Sequence, residues 1–165
     1  MVIVRATRKL LQRLGPVTAV DEQESTSLLG DWYATVLPWR PRQVALLVSQ
    51  TTLLPVLMPL APAATLLDRF PDHLAAVLRA HQAPETVVQR EAAETADYTV
   101  ATTASRSLTG SMNEFAYLAE AHRAADREPD LLALSLQLAT VPCGPLYARH
   151  VSPDRELAAL LHDIT

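Results

Sequence analysis

The feature that most constrains the fold is the run over residues 43–67, which reads QVALLVSQTTLLPVLMPLAPAATLL and contains no charged residue. A run of this length is long enough to span a bilayer as a helix. Pro55, Pro59 and Pro62 would interrupt that helix, however, and four polar residues over 49–52 lie near its middle. We therefore interpret the run as two buried strands joined by a turn, and we expect no membrane association.

The flanking sequence extends this pattern into a sheet. Three extended runs, WYATVLPW, QVALLVS and LLPVLMP, are separated by short spacers at residues 40–42 and 50–52. Short spacers are typical of an antiparallel meander. Pro38 and Pro55 cannot donate a hydrogen bond to a neighbouring strand, so they favour strand ends or an edge strand. A further strand is predicted at each of residues 2–5 and 97–103.

Helical patterns fill most of the remaining chain. Helices are predicted over 7–14, 62–70, 71–82, 84–94, 112–126, 130–139 and 153–164, with Pro71 and Pro153 each at a first helical position. Residues 18–27 form a polar, acidic connection. Clustered strands and clustered helices predict an α+β fold, with a mainly antiparallel sheet of about four to five strands packed against several helices. We expect one globular domain over residues 1–165.

The charge balance and the cysteine content narrow the class of protein. Fourteen basic and eighteen acidic residues give a net charge of −4, which argues against nucleic acid as a partner. The lone cysteine, Cys143, cannot form an intrachain disulfide and suits the cytoplasm. The N-terminal segment carries Arg5, Arg8 and Lys9 where a secretory signal would be apolar. No histidine pair has metalloprotease spacing and Cys143 has no CxxC partner, so neither a metal nor a cofactor is expected.

The segment RSLTGSMNEF over residues 106–115 supports two interpretations. In the first, Ser111 and Glu114 form a capping box that starts a helix. In the second, a strand runs through a Ser, Thr and Gly loop into a helix N-terminus, where free amides and the helix dipole attract an anion. Arg106 would then bind a phosphate or carboxylate, with polar or flexible neighbours at Ser107, Gly110, Ser111 and Asn113. The sequence leaves both interpretations open.

A second group of candidate residues lies near the N-terminus. Arg5 and Thr7 stand at a strand-to-helix junction similar to that before Arg106, and two such junctions at one end of a sheet would converge on a single anion. In the motif LGDWYA, Asp31 is a candidate site carboxylate and Trp32 a candidate stacking wall. The alternative for this motif is a turn followed by an aromatic pair that anchors the core.

Four segments in order along the chain resemble one protein family. They are RATRKLLQRLG at 5–15, LLGDWYA at 28–34, RSLTGSMNEFA at 106–116 and PCGPL at 142–146. On these segments the chain resembles DUF6933, a mostly bacterial domain of unknown function, and the resemblance covers nearly the whole chain. The family pattern has Cys at Ala6, Gln at Arg8, Asn at Thr35 and an Asn pair at residues 104–105. The resemblance implies no established activity.

These observations predict a binding module for a small anionic ligand at a site that contains Arg5, Thr7, Asp31, Trp32, Arg106, Ser107, Gly110, Ser111 and Asn113. The alternative is a protein-interaction component of a bacterial defence or toxin–antitoxin system. An enzyme of unknown reaction is the second alternative. It ranks below the other two because no base–nucleophile pair emerges from the sequence. Leucines on more than one face of residues 131–138 also make a homodimer a candidate assembly.

Overall fold

The computed structural model describes residues 1–15, 23–126 and 128–164 of the chain. Five strands and six α-helices are present among these residues. Short 3-10 helices lie at Ala63–Thr65 and Gly144–Leu146. The strands and α-helices are, in chain order, β1 (Val2–Ala6), α1 (Arg8–Leu14), β2 (Trp32–Leu37), β3 (Val44–Ser49), β4 (Pro55–Pro59), α2 (Leu66–Ala80), α3 (Glu85–Ala96), β5 (Tyr98–Thr102), α4 (Arg106–Ala125), α5 (Leu131–Leu138) and α6 (Pro153–Asp163).

The five strands form one sheet in the order β4-β3-β2-β1-β5. The meander of β2, β3 and β4 is antiparallel, as predicted from its short connections. β1, however, pairs in parallel with both β2 and β5. The α+β class is therefore confirmed, whereas the expectation of a mainly antiparallel sheet is wrong. The sheet is mixed because β1 lies between two strands that follow it in the chain, β2 and β5, and runs parallel to both.

The two faces of the sheet carry separate apolar clusters. Alternation along each strand sends Trp32 to one face and Tyr33 to the other. Helices α1, α2, α3 and α6 cover the Trp32 face, and helices α4 and α5 cover the Tyr33 face. Because both faces are covered, β3 is buried along its whole length, and its sequence has no polar–apolar alternation.

The prolines of the uncharged run lie where a sheet tolerates them. β4 is an edge strand, with Pro55 as its first residue and Pro59 as its last. Pro38 directly follows the last residue of β2. Among the described residues, none of the helices is long and apolar enough to cross a membrane. The run is thus a pair of buried strands joined by a turn, as the sequence predicts.

Pro71 does not separate two helices. It lies inside the continuous helix α2, and its side chain is buried beside Phe70 and Leu74. Proline inside a helix removes one backbone hydrogen bond, but burial of this apolar stripe favours the unbroken helix. The prediction of a helix end at residue 70 is therefore wrong. At α6, by contrast, Ser152 and Pro153 hold the predicted cap and first helical positions.

Two predicted features fall partly or wholly outside the described residues. Of the polar connection over 18–27, residues 18–22 lie outside them, and residues 23–26 belong to no helix or strand. Pro16, which follows the predicted helix over 7–14, also lies outside them. The described part of that helix ends at Leu14, followed by Gly15 with φ of 96°, a backbone conformation that favours glycine.

Candidate functional site

The two junctions that carry the candidate residues lie side by side. β1 and β5 are adjacent and parallel, with Arg5 aligned to Ala101 and Ala6 to Thr102. After β1 the chain enters α1 on the Trp32 face, and after β5 it enters α4 on the Tyr33 face. Neighbouring parallel strands whose helices take opposite faces leave a crevice at their carboxyl ends, where open sheets bind ligands. The strand order thus brings the two junctions to the same edge.

Arg5 and Asp31 form an ion pair beside this edge. The Arg5 Nε donates to Asp31 Oδ2 at 2.8 Å, and Arg5 also donates to the Thr102 carbonyl at 3.2 Å. The second Asp31 oxygen accepts from the Ser25 hydroxyl at 2.6 Å. One carboxylate therefore neutralises Arg5 and links β1 to the segment before β2. The pair connects three parts of the chain and is a structural support for the edge.

Helix α4 begins at Arg106, well before the predicted capping box. Ser105 is the cap residue, and its hydroxyl accepts from the Leu108 amide at 3.2 Å. The amide of Ser105 donates in turn to the Tyr33 hydroxyl at 3.1 Å. The prediction that Ser111 and Glu114 start this helix is therefore wrong. The side-chain oxygen of Ser105 takes the capping role, and Tyr33, far away in sequence, fixes its position.

The first turn of α4 contains backbone amides that are available as hydrogen-bond donors to a ligand. Among the described residues, none accepts a hydrogen bond from the amides of Arg106 and Ser107. The first turn contains no acidic residue. Free amides at the N-terminus of a long helix favour an anion, through hydrogen bonding and through the helix dipole. Since Glu114 lies well beyond the first turn, its carboxylate does not occupy this position.

A shallow depression of about 470 Å³ lies against this turn; we call it the Arg106 depression. It is lined by residues 103–106, Thr109, Gly110 and Asn113. Arg106 and Asn113 are exposed, and no described residue forms a hydrogen bond or ion pair with the Arg106 side chain. The depression therefore presents an unpaired guanidinium and a side-chain amide on one helix surface.

Gly110 lines the Arg106 depression. It lies inside α4, and a Cβ added there would meet no atom within 4 Å outside the local helix. Glycine inside a helix is less favourable than alanine by about 1 kcal/mol. No packing contact explains this glycine, and a methyl group would project into open space. Departures from helix propensity of this kind are typical of functional positions.

The other predicted site residues are distributed differently. Trp32 is 0% exposed and packs edge-to-face on Phe70 at 5.0 Å between ring centroids, so the core interpretation of this residue fits its position. Ser111 lies on the buried face of α4. Ser107 is exposed but does not line the depression. The Thr7 hydroxyl lies 3.0 Å from the Thr35 hydroxyl. The structure therefore brings together Arg106, Gly110 and Asn113.

The environment of Cys143 does not favour thiolate chemistry. Burial, with a smaller contribution from the nearby Glu114 carboxylate, raises the pKa of the Cys143 thiol to about 11. Its sulfur donates to the Val141 carbonyl at 3.4 Å. His150 is held instead by Glu156, with its Nδ1 3.0 Å from Oε2. Among the described residues, no cluster of three or more His, Cys, Asp or Glu could hold a metal ion.

One further concave region was not predicted as a site. Three adjoining depressions surround the connection between β2 and β3, and all three are lined by Arg40 and Pro41. We call them together the Arg40 groove. The signal in the sequence is Trp39-Arg40-Pro41-Arg42, a segment that also reads as a strand end followed by a turn. Two arginines flanking one proline also form a local concentration of positive charge.

The architecture and these two regions define an α+β protein in which a mixed sheet lies between two helical layers and carries cationic depressions near its carboxyl edge. The chain belongs to the family described as a domain of unknown function, DUF6933, whose model matches residues 3–156. The resemblance seen in the four sequence segments is thereby confirmed. No match to this chain was found among curated proteins or solved structures.

Proposed function

We propose that this protein binds a small anionic ligand, bearing a phosphate or a carboxylate, in the Arg106 depression. The observation that carries the proposal is the exposed, unpaired guanidinium of Arg106 beside two free amides at the start of α4. The depression lies directly after β5, whose neighbour β1 feeds a helix on the opposite face. Such a position is where open sheets bind their ligands.

The charge arrangement supports Arg106 as the main partner of the anion. Arg5, the other arginine predicted for the site, is already neutralised by Asp31. Arg106 has no such partner among the described residues, so an anion would meet one uncompensated positive charge. A guanidinium binds a carboxylate or phosphate through two parallel hydrogen bonds. Asn113 would add one amide donor or acceptor to orient the rest of the ligand.

The size of the depression supports a small molecule. Its volume of about 470 Å³ falls within the range of small-molecule sites. It is open and shallow, which suits a ligand held by charge and hydrogen bonds more than by apolar enclosure. A ligand of metabolite size is therefore the class we propose.

A thermal-shift experiment tests the proposal. Purified protein would be melted with orthophosphate, pyrophosphate, ADP, a sugar phosphate and citrate, each in a metal-free buffer. A ligand at a hundred times its dissociation constant stabilises the fold by about 2.7 kcal/mol, which raises Tm by roughly 5–10 °C for a chain of this size. We expect at least one probe to give such a shift.

Matched variants decide where the probe binds. Arg106→Gln should remove the shift, and Arg106→Lys should retain part of it, because lysine keeps the charge and loses the planar fork. Arg155→Gln is the control, since Arg155 is exposed on α6 away from the depression. A shift that survives Arg106→Gln, or the absence of a shift with every probe, would contradict the proposal.

The cytoplasmic location and the homodimer are retained as parts of the proposal. The first is supported by the single cysteine, and the second by Leu132, which is exposed on α5. A protein-interaction role remains the alternative, and a measured native mass would separate a homodimer from a monomer. No reaction is proposed, because the described residues around Arg106 include no paired base and nucleophile.

A further inference from the structure

A second site is indicated by the Arg40 groove, at the carboxyl end of β2. The groove consists of three depressions with volumes of about 310, 570 and 380 Å³. Arg40 and Pro41 line all three, and Arg42 lines the two that also contact Pro59. Concave surface therefore continues around both sides of an exposed loop. A trough of this form suits an extended ligand better than a compact anion.

The floor and the rim of the groove differ in chemistry. Trp39, Val44, Pro59 and Leu131 supply an apolar floor. Arg40 and Arg42 are exposed at the rim, and no described residue pairs with either side chain. An apolar centre with unpaired charges around it is the usual anatomy of a protein-interaction surface.

The loop that carries these charges is held in place from two sides. The Arg123 guanidinium lies 5.4 Å from the Trp39 ring centroid and donates to the Arg40 carbonyl. Arg13, from α1, donates to the Gln43 side chain at 2.5 Å. These contacts fix the backbone on both sides of Arg40 and Arg42 while leaving the two side chains available. A site that is already ordered loses less entropy when a partner binds.

The opposite wall is fixed by Arg69. Its guanidinium donates to the carbonyls of Pro59 and Leu60 at 3.0 and 2.9 Å, and its Nε donates to the Thr65 hydroxyl at 3.0 Å. Arg69 therefore stabilises the chain that leaves β4 and forms this wall. Three arginines that donate hydrogen bonds within the chain, Arg13, Arg69 and Arg123, thus support the groove, whereas Arg40 and Arg42 have no such partners among the described residues.

We propose that the Arg40 groove binds an extended acidic segment of a partner protein. Alternate side chains of an extended peptide lie on the same side, about 6.6–6.8 Å apart. A segment with an acidic residue at every second position would therefore present its carboxylates together to the unpaired side chains of Arg40 and Arg42. Guanidinium groups bind carboxylates with defined geometry. The rest of the segment would pack on the apolar floor.

The composition of the groove favours a protein partner over a nucleic acid. Glu120 and Glu128 line the two smaller depressions, whereas the depression of about 570 Å³ is lined by Arg40 and Arg42 and by no acidic residue, so the purely positive surface is short and offers no continuous track for a phosphate backbone. The Arg123 guanidinium already lies over the Trp39 ring, so that ring face is not free for base stacking. The whole chain carries a net charge of −4, so positive potential is local to this region. The inference is independent of the proposed ligand at Arg106.

Fluorescence anisotropy with defined probes tests this inference. The probe is a fluorescein-labelled octapeptide of alternating Glu and Thr, and the matched control is the same peptide with Gln in place of Glu. An oligo-dT octamer is the nucleic-acid arm. We expect the Glu peptide to bind, the Gln peptide to bind at least about tenfold more weakly, and added salt to weaken the binding of the Glu peptide.

Variants then locate the binding. The double variant Arg40→Gln with Arg42→Gln should weaken the binding of the Glu peptide at least about tenfold. Arg155→Gln and Arg106→Gln should leave its affinity within about twofold, since both lie outside the groove. Equal binding by the double variant, no binding by the wild type, or preference for the DNA octamer would overturn the inference. A wild-type dimer that the double variant makes monomeric would instead assign the groove to a second copy of the chain.

An NMR titration of the wild-type protein keeps the test independent of how the variants fold. The chain has two tryptophans, and their indole N–H signals report on different places. Trp39 lines the groove, whereas Trp32 is buried on the opposite face of the sheet. The Glu peptide should shift the Trp39 indole signal and leave that of Trp32 in place. Shifts confined to other parts of the protein would contradict the assignment.

Discussion

Arg5 and Asp31 are joined by a hydrogen-bonded ion pair of 2.8 Å, which connects the interior strand β1 to the residue that precedes β2. Both side chains are mostly shielded from solvent. Asp31 also accepts from Ser25, and Arg5 also donates to the Thr102 carbonyl. This pair therefore fixes the relative position of three strands at the edge that bears the Arg106 depression.

Removal of either partner should destabilise the fold. Arg5→Ala or Asp31→Ala leaves the other group without its partner and should lower the free energy of unfolding by about 1–3 kcal/mol. Urea denaturation of both variants and of the double variant gives the coupling energy between the two side chains. The control is Arg79 with Glu85, a pair whose side chains are more than half exposed. The coupling at Arg5 should exceed that control, and equal values would contradict a structural role.

Gly110→Ala should separate stability from binding. Replacing a glycine inside α4 should stabilise the protein by about 1 kcal/mol, because alanine loses less backbone entropy in a helix. If the Arg106 depression binds a small anion, the added methyl should at the same time reduce the rise in Tm caused by the probe that stabilises the wild type. Thermal melts with and without that probe measure both quantities. Ser107→Ala is the control, because it removes a hydroxyl outside the depression and keeps the backbone amide, and it should leave the binding unchanged.

Glu91→Ala should be strongly destabilising. Glu91 is 0% exposed, and its Oε1 accepts from the Ser27 hydroxyl at 2.7 Å and the Leu29 amide at 3.1 Å. Truncation removes the acceptor of the buried Ser27 hydroxyl and one of the two acceptors of the Leu29 amide, for a loss of about 2–4 kcal/mol. Chemical denaturation measures the loss, and hydrogen exchange should show faster exchange of the Leu29 amide. Arg90→Ala, at an exposed position of the same helix, should have a much smaller effect. Comparable losses in the two variants would contradict a specific role for the Glu91 carboxylate.

Because of Cys143, the free energy of unfolding should decrease as pH rises under alkaline conditions. Burial raises the pKa of its thiol from an ordinary value of 9.0 to about 11 in the folded protein. Between these values the unfolded chain loses the thiol proton while the folded chain keeps it, so the free energy of unfolding decreases as pH rises. Urea melts at pH 8, 9 and 10 measure the slope.

Cys143→Ala supplies the control for this pH dependence. The variant lacks the thiol, so its free energy of unfolding should fall less steeply between pH 9 and 10 than that of the wild type. Alkylation by iodoacetamide gives a second measurement, because the native thiol should react slowly and the urea-unfolded thiol rapidly. Rapid alkylation of the native protein, or equal slopes in the two proteins, would contradict this account.

Much of the local structure could be predicted from sequence because it depends on neighbouring residues. The meander β2-β3-β4 follows from three apolar runs with short spacers, and the edge position of β4 agrees with Pro55 and Pro59. The start of α6 at Pro153 follows from its own residues in the same way. Each of these features is decided by backbone chemistry within a few residues.

The start of α4 could not be predicted in this way. Ser105 and Ser111 are both suitable cap residues, and Ser111 has the better local pattern because Glu114 follows it. The structure selects Ser105, whose amide donates to Tyr33 in a strand far away in sequence. Met112, Phe115 and Ala119, which belong to the predicted helix over 112–126, face the core. The helix was therefore predicted from its own residues, and only the tertiary contact decided where it begins.

The sequence by itself determined the class of fold, the family and the residue types available for an anion site. The tertiary structure decided which of those residues meet. β1 lies between β2 and β5 through parallel pairing of segments that are distant in the chain, and apolar periodicity within one segment does not specify that pairing. This pairing neutralises Arg5 with Asp31 and places the unpaired Arg106 directly after β5. Which charges are paired and which remain free depends on long-range packing, so no single segment contains that information.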